Sequence, residues 1–229
     1  EKTILPIIEL GKKLGIETPH TIELYDNSNI QGAYAVAGMV VYKDGVPSKK
    51  DYRKYKIKTV EGPDDYASMK EVIYRRYYRL LMEQKEMADL IIVDGGLGQI
   101  KVAKEVIDGL NLPVHICGLS KDDKHSTAML LDENGNQVPI DTKSPLFFLL
   151  TRMQDEVHRY AISFHRQVRS KSLFSSILDE VDGIGEARKK KLLNHFKSVK
   201  KMKEASLEEL EAVIPKNTAL KLYEVLHKE

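Results

Sequence analysis

Leu90-Ile91-Ile92-Val93-Asp94-Gly95-Gly96 is the stretch on which the fold turns. Four consecutive aliphatic residues leave no polar face, so the segment predicts a strand covered on both sides. The Asp-Gly-Gly that follows ends it abruptly. Downstream, Gln99 to Leu110 reads as a helix and Val114 to Leu119 as a second short strand. Upstream, a long helix is expected from Pro63 to about Glu86, with Asp64 and Asp65 placed to complement its dipole. Strand, helix and strand in this order put helices against a sheet.

Further out, the period changes from helical to alternating. Thr21 to Asp26 places Ile22, Leu24 and Asp26 on one face and Glu23 and Tyr25 on the other. Ala33 to Tyr42 and Asp51 to Ile57 complete three successive strands, an antiparallel meander with a turn at Lys43-Asp44-Gly45. Before them, Ile4, Ile7, Ile8 and Leu10 mark a short helix. After the second short strand, Asn134-Gly135 marks a hairpin, and Ser144-Pro145 opens a helix that carries to about His165. The fold class expected is α/β: a mixed sheet flanked by helices, an order shared by RNase H-like folds. Arg166 to Ser176 is basic and serine-rich and reads as a linker. The domain plan is therefore 1–166, a linker at 167–176, and a small all-α domain at 177–229.

Composition narrows the class. Hydrophobic residues make up 42% of the 229, enough for a core. Ala33 to Tyr42, the longest nearly unbroken apolar run, falls short of the ~20 residues that span a bilayer. The chain opens without Met and without a leader, the pattern expected of a fragment of something longer. Its single cysteine, Cys117, can form neither an internal disulfide nor a thiolate metal site, and a reducing cytoplasmic setting is expected. The net charge of +2 hides a pattern: Arg188 to Lys203 holds eight basic residues and no acidic one, and four glutamates follow by Glu211. Such a block reads as a phosphate-contacting surface or as a solvated helix face.

Three residues are candidates for a metal centre. Asp26 ends the first strand on the face that packs inward, where an unpaired carboxylate is expensive; it needs a cationic partner or a metal. Asp94 ends the central strand, the position where ligands gather in open α/β sheets, though a turn or helix cap is the alternative. On the helix after Pro145, Thr151, Asp155, His158, Ile162 and His165 form one stripe. Two carboxylates plus a helical ligand suit a hard divalent cation, Mg²⁺ or Mn²⁺. A salt-bridge ladder through Arg152, Glu156 and Arg159 is the competing reading of that helix.

The motifs around these positions resemble the UvrC family of DNA repair proteins along the whole chain. Ile22-Glu23-Leu24-Tyr25-Asp26-Asn27-Ser28-Asn29-Ile30-Gln31-Gly32 resembles the signature around its first catalytic aspartate. Gly62 to Met69 is similar to a family helix start, and Ile92 to Gln99 to its second strand-end aspartate. Asp155 to Arg159 and Ala161 to Arg166 resemble the helix bearing its histidine. Val181-Asp182-Gly183-Ile184-Gly185-Glu186-Ala187-Arg188 is similar to its helix-hairpin-helix turn. The resemblance implies an RNase H-like endonuclease domain that cuts on the 5′ side of a lesion in nucleotide excision repair. It implies Asp26, Asp94 and His158 as the catalytic triad, Asp65 as a supporting carboxylate, and Lys121 as a phosphate contact. It also implies a tandem helix-hairpin-helix tail, with damaged duplex, bubble or junction DNA and a UvrB–DNA complex as partners.

In that tail, Gly183 and Gly185 let successive backbone N–H groups point at a phosphate, and Arg188, Lys189 and Lys190 follow on the next helix. The second hairpin is expected near Val213 to Ala219, where Lys216 and Asn217 replace the family's glycines. The competing functions are a non-catalytic DNA-binding module and a different RNase H-like nuclease, such as a junction resolvase.

Overall fold

The computed structural model describes residues 3–29, 35–59, 64–121 and 128–228. Ile30 to Gly32, Ala33, Gly62 and Pro63, which figure in the sequence reading, lie outside them. Two units are described separately, Glu1–His165 and Arg166–Glu229.

The first unit opens with α1 (Ile4–Leu14), followed by β1 (Thr21–Asn29) and β2 (Ala35–Lys43). A turn at Asp44 and Gly45, both with positive φ (50° and 82°), leads to β3 (Val46–Pro47). After a single 3-10 turn comes β4 (Arg53–Lys56). Both β3 and β4 pair antiparallel with β2, and β2 pairs antiparallel with β1, as the meander requires.

Next comes α2 (Asp65–Met82). Asp64 caps it, its side chain accepting from Ala67 N–H. It stops earlier than the expected Glu86 because Gln84 turns left-handed, at φ 53°. Then follow β5 (Leu90–Asp94), α3 (Leu97–Gly109) and β6 (His115–Lys121). β7 (Ala128–Leu131) and β8 (Gln137–Val138) form the hairpin expected around Asn134-Gly135, with Gly135 at φ 79°.

Among the described residues the sheet has eight strands, ordered β3-β2-β1-β5-β6-β7-β8, with β4 also on β2. β1, β5 and β6 run parallel, so their carboxyl ends share one edge. The central strand Leu90–Val93 is wholly buried, as its composition requires. One face of the sheet packs Tyr25, Met39, Ile91 and Val93 against α2 and α3. The other packs Ile22, Leu24, Leu90 and Ile92 against α1 and a long helix, α4 (Pro145–Asp179). At about 25 cal/mol per Å² of apolar surface removed from water, these two layers carry most of the unit's stability.

One expectation is corrected here. The stretch 167–176 is helical, because α4 continues to Asp179. No Gly or Pro interrupts Arg166 to Asp179, and Phe174 and Leu178 are buried in the second unit's own core. That unit continues with α5 (Glu186–Phe196), α6 (Val199–Glu204), α7 (Leu207–Glu211) and α8 (Lys216–Leu226). Its core joins Leu192, Met202, Leu210, Ile214 and Leu222. No helix among the described residues is long and apolar enough to cross a membrane.

Candidate active site

Asp26 and Asp94 come together because β1 and β5 are adjacent and parallel. Tyr25 is in register with Val93, so the residues that follow them meet at the same edge. α4 crosses that edge and brings His158 to the pair. One ligand atom from each of Asp26, Asp94 and His158 lies within 4.8 Å of the others. His158 Nδ1 is 2.9 Å from Asp26 Oδ2. The imidazole is open to solvent while the Asp26 side chain is only 9% exposed.

The electrostatics of this group are unbalanced. Burial, and then the neighbouring charge of Asp94, push the Asp26 carboxyl up to about 7, against the opposing hydrogen bond from His158. Two acids share a site with no Lys or Arg paired to either among the described ion pairs. The donor set, two carboxylates and an imidazole, fits a hard divalent cation.

Asp94 is neither a helix cap nor a simple turn residue. Gly96 occupies the N-cap of α3, and Asp94 Oδ1 instead accepts a hydrogen bond of 3.1 Å from Gln154 Nε2. Gly95, at φ 152°, makes the turn a side chain would strain. Gln154 is 5% exposed and was not among the expected site residues. Its signal was present in the sequence: Leu150, Met153, Val157 and Ala161 are core positions of α4, and Gln154 is the amide set among them. Asp155 and His165, the other titratable members of the expected stripe, are not in the group; Asp155 is exposed and His165 is buried.

Asp65, expected as a supporting carboxylate, is the first residue of α2 and also lies outside the group. Its backbone carbonyl accepts from Asn27 Nδ2 at 3.1 Å, which pins the start of α2 beside Asp26. Lys121 ends β6, exposed at the same sheet edge, two residues beyond the Leu119 that pairs with Asp94.

A family model for the UvrC RNase H endonuclease domain matches residues 11–162. The chain belongs to that family. A second model, a SAM-like helix-hairpin-helix tandem, matches residues 175–228, and the two in this order are those of the C-terminal half of UvrC. The mixed sheet is thus an RNase H-like endonuclease domain, and the helical unit is its helix-hairpin-helix domain. Among solved structures, endonuclease V of Ciona intestinalis in complex with inosine-containing DNA is 15% identical, with a TM-score of 0.35. The match covers 53% of this chain and 55% of that one, so the chain spans about half the length of that protein. Human endonuclease V is 16% identical over 52% of this chain and 61% of its own, at a TM-score of 0.32. Argonaute of Kluyveromyces polysporus with a guide RNA is 13% identical over 61% of this chain and 19% of its own, at 0.31. At this level of likeness nothing about activity transfers.

In the UvrC-type tail, Gly183 takes φ 92° and Gly185 is the N-cap of α5. Arg188 Nη1 donates back to the Gly183 carbonyl at 2.5 Å, bracing the hairpin. Lys189 is engaged by Asp179, Ser175 and Glu186 and is 14% exposed, so its ammonium holds α4 to α5 and does not face outward. Lys190 is exposed. The second hairpin forms without a left-handed residue: Pro215, at φ −57°, precedes α8, and Thr218 N–H donates to Asn217 Oδ1.

Proposed function

We propose that this chain is a divalent-metal-dependent DNA endonuclease of nucleotide excision repair, hydrolysing a phosphodiester on the 5′ side of a lesion. The observation that carries the reading is the Asp26–Asp94–His158 group at the carboxyl ends of two parallel strands, where Asp26 and Asp94 repel each other unless a cation lies between them.

Asp26 and Asp94 would hold Mg²⁺ or Mn²⁺, and such an ion supplies Lewis acidity at a scissile phosphate. Gln154 fixes the rotamer of Asp94 by donating to one of its oxygens. Asp26 orients His158 through Nδ1, which leaves Nε2 as the atom that takes a proton from the attacking water. Water adds to phosphorus in line with the leaving oxygen, and the P–O bond to that oxygen breaks. Lys121 stands where it can meet a flanking phosphate. The tail binds DNA backbone through the Gly183–Gly185 turn and Lys190, with Arg188 and Lys189 shaping that hairpin from within. Damaged duplex, bubble or junction DNA, presented with UvrB, is the substrate of this reading, in the cytoplasm.

The test is Mn²⁺-dependent cleavage of bubble DNA, free and UvrB-loaded. Asp94→Asn is expected to fold, to bind DNA as the parent does, and to lose cleavage. Parental cleavage by a folded Asp94→Asn would overturn the proposal.

A further inference from the structure

The solvent face of α2 has a composition that neither the fold nor the catalytic group requires. Solvent-facing helical positions are ordinarily Lys, Glu or Gln, yet here Tyr66, Tyr74 and Tyr78 are 55%, 48% and 46% exposed. They recur at spacings of eight and four, which puts them on one stripe of the helix. The rings of Tyr74 and Tyr78 stack, with centroids 5.6 Å apart and planes 19° from parallel.

Cations flank the rings. Lys70 lies between Tyr66 and Tyr74 on the stripe, and Arg79 stands on the adjoining row beside Tyr78, where Arg75 is held by Glu71 and the Lys56 carbonyl. Among the described residues Lys70 and Arg79 pair with the solvent-exposed Glu105 and Glu83, and ion pairs of that kind are worth ~0–1 kcal/mol, so a phosphate can replace them. Glu71 adds little opposing charge. Its carboxylate is nearly buried and is taken up by Arg75 and by Lys58 and Thr59 N–H.

The stripe also leads to the catalytic edge. The Tyr66 ring lies against Gly98 in the first turn of α3; a Cβ there would come within 2.7 Å of Tyr66 Oη. Gly98 is four residues from Asp94. From Tyr66 to Tyr78 the helix rises about 18 Å, roughly the length of five stacked nucleotides. Leu81 and Met82 extend the exposed surface past Tyr78, but stacked phenol rings with Lys70 and Arg79 beside them match a strand whose bases stack and whose phosphates are drawn to positive charge.

We propose that this face of α2 is a platform on which an unpaired DNA strand stacks as it enters or leaves the Asp26–Asp94 edge. The inference rests on the nuclease reading above and names the form of substrate that reading leaves open.

The chain contains no tryptophan, so Tyr74→Trp or Tyr78→Trp installs a sole tryptophan, excited selectively over the tyrosines, on an exposed site. Titration in EDTA with a twelve-nucleotide oligothymidylate is expected to quench that tryptophan saturably, and a blunt duplex of equal length to quench it far less. The Tyr74→Ala/Tyr78→Ala double variant is expected to bind a duplex with an unpaired arm on the order of tenfold more weakly, with less than about twofold change on blunt duplex. No quenching by oligothymidylate, or equal affinity of the double variant for the armed duplex, would overturn the platform and leave the face to a protein partner. Mn²⁺-dependent cleavage by the parent chain separates the two failures. Cleavage without quenching sinks only the platform, whereas no cleavage of free or UvrB-loaded bubble DNA sinks the nuclease reading itself.

Discussion

Glu23 and Asp26 are buried carboxylates on the same strand, β1, pointing to opposite faces of the sheet. Glu23 has every need met. Arg76 Nε and Nη2 donate to one oxygen at 3.0 and 2.8 Å, and the hydroxyls of Tyr25 and Tyr77 donate to the other at 2.8 and 2.7 Å. Burial, then the charge of Glu23, raises both phenols well above their ordinary value, so they stay protonated as donors. Asp26 meets a second acid and a solvent-open imidazole. The difference teaches how to tell a structural buried acid from a functional one. The first is neutralised by its own chain; the second, on the function proposed above, is balanced by a bound cation.

A cleft of about 630 Å³ illustrates the same point. It opens at the far end of β1, lined by Glu23, Arg53, Arg75, Arg76 and Arg79, and it is rich in charge. Its buried members are already matched to one another, and the Asp26–Asp94–His158 group lies at the opposite edge.

The contrast can be broken by exchanging what each acid loses. Asp26→Asn is expected to lower Mn²⁺-dependent cleavage by about a thousandfold, since several kcal/mol of charge stabilisation disappear. It should leave stability unchanged or raised at pH 8. The folded Asp26 carboxyl sits at about 7, above its ordinary 3.8, so ionising it costs stability as pH rises through that window. Glu23→Ala is expected to do the reverse, costing about 3–5 kcal/mol in urea unfolding because Arg76 and two tyrosines are left unmatched. If both variants lost stability equally, the distinction would fail.

Gln154→Met keeps the volume and removes the donor to Asp94. Apparent Mn²⁺ affinity is expected to fall about 10- to 100-fold with the melting temperature nearly unchanged. A stability loss with unaltered metal affinity would make Gln154 a core residue only. The smallest effect is that of pH. Below pH 7 a cation must displace the proton on Asp26, so Mn²⁺ affinity by calorimetry should fall about tenfold per pH unit there and level off above. A flat profile would place the titrating acid elsewhere.

Much of this was legible in the sequence, for identifiable reasons. The unbroken Leu90–Val93 run could only be a two-face-buried strand, and Asp26 had to point inward with Ile22 and Leu24. Both follow from period and burial alone. Gln154 was missed because the stripe containing His158 was read as the functional one. Gln154 lies on a different, core-facing stripe, and only the crossing of α4 over the strand ends shows that the two converge. The length of α4 was hidden because serines and lysines are tolerated in helices, and Phe174 and Leu178 gain their helical register by packing in the second unit. Lys189 looked like its neighbour Lys190; its engagement by Asp179 at the end of α4 is tertiary and invisible to a charge count.

The central claim is that Asp26 and Asp94 share a divalent cation. Anomalous scattering from crystals soaked in Mn²⁺, with and without bound DNA, tests it most directly. A peak between the two carboxylates, lost in Asp94→Asn crystals, is the result expected. No peak in either crystal, or a peak that survives Asp94→Asn at full occupancy, would contradict it.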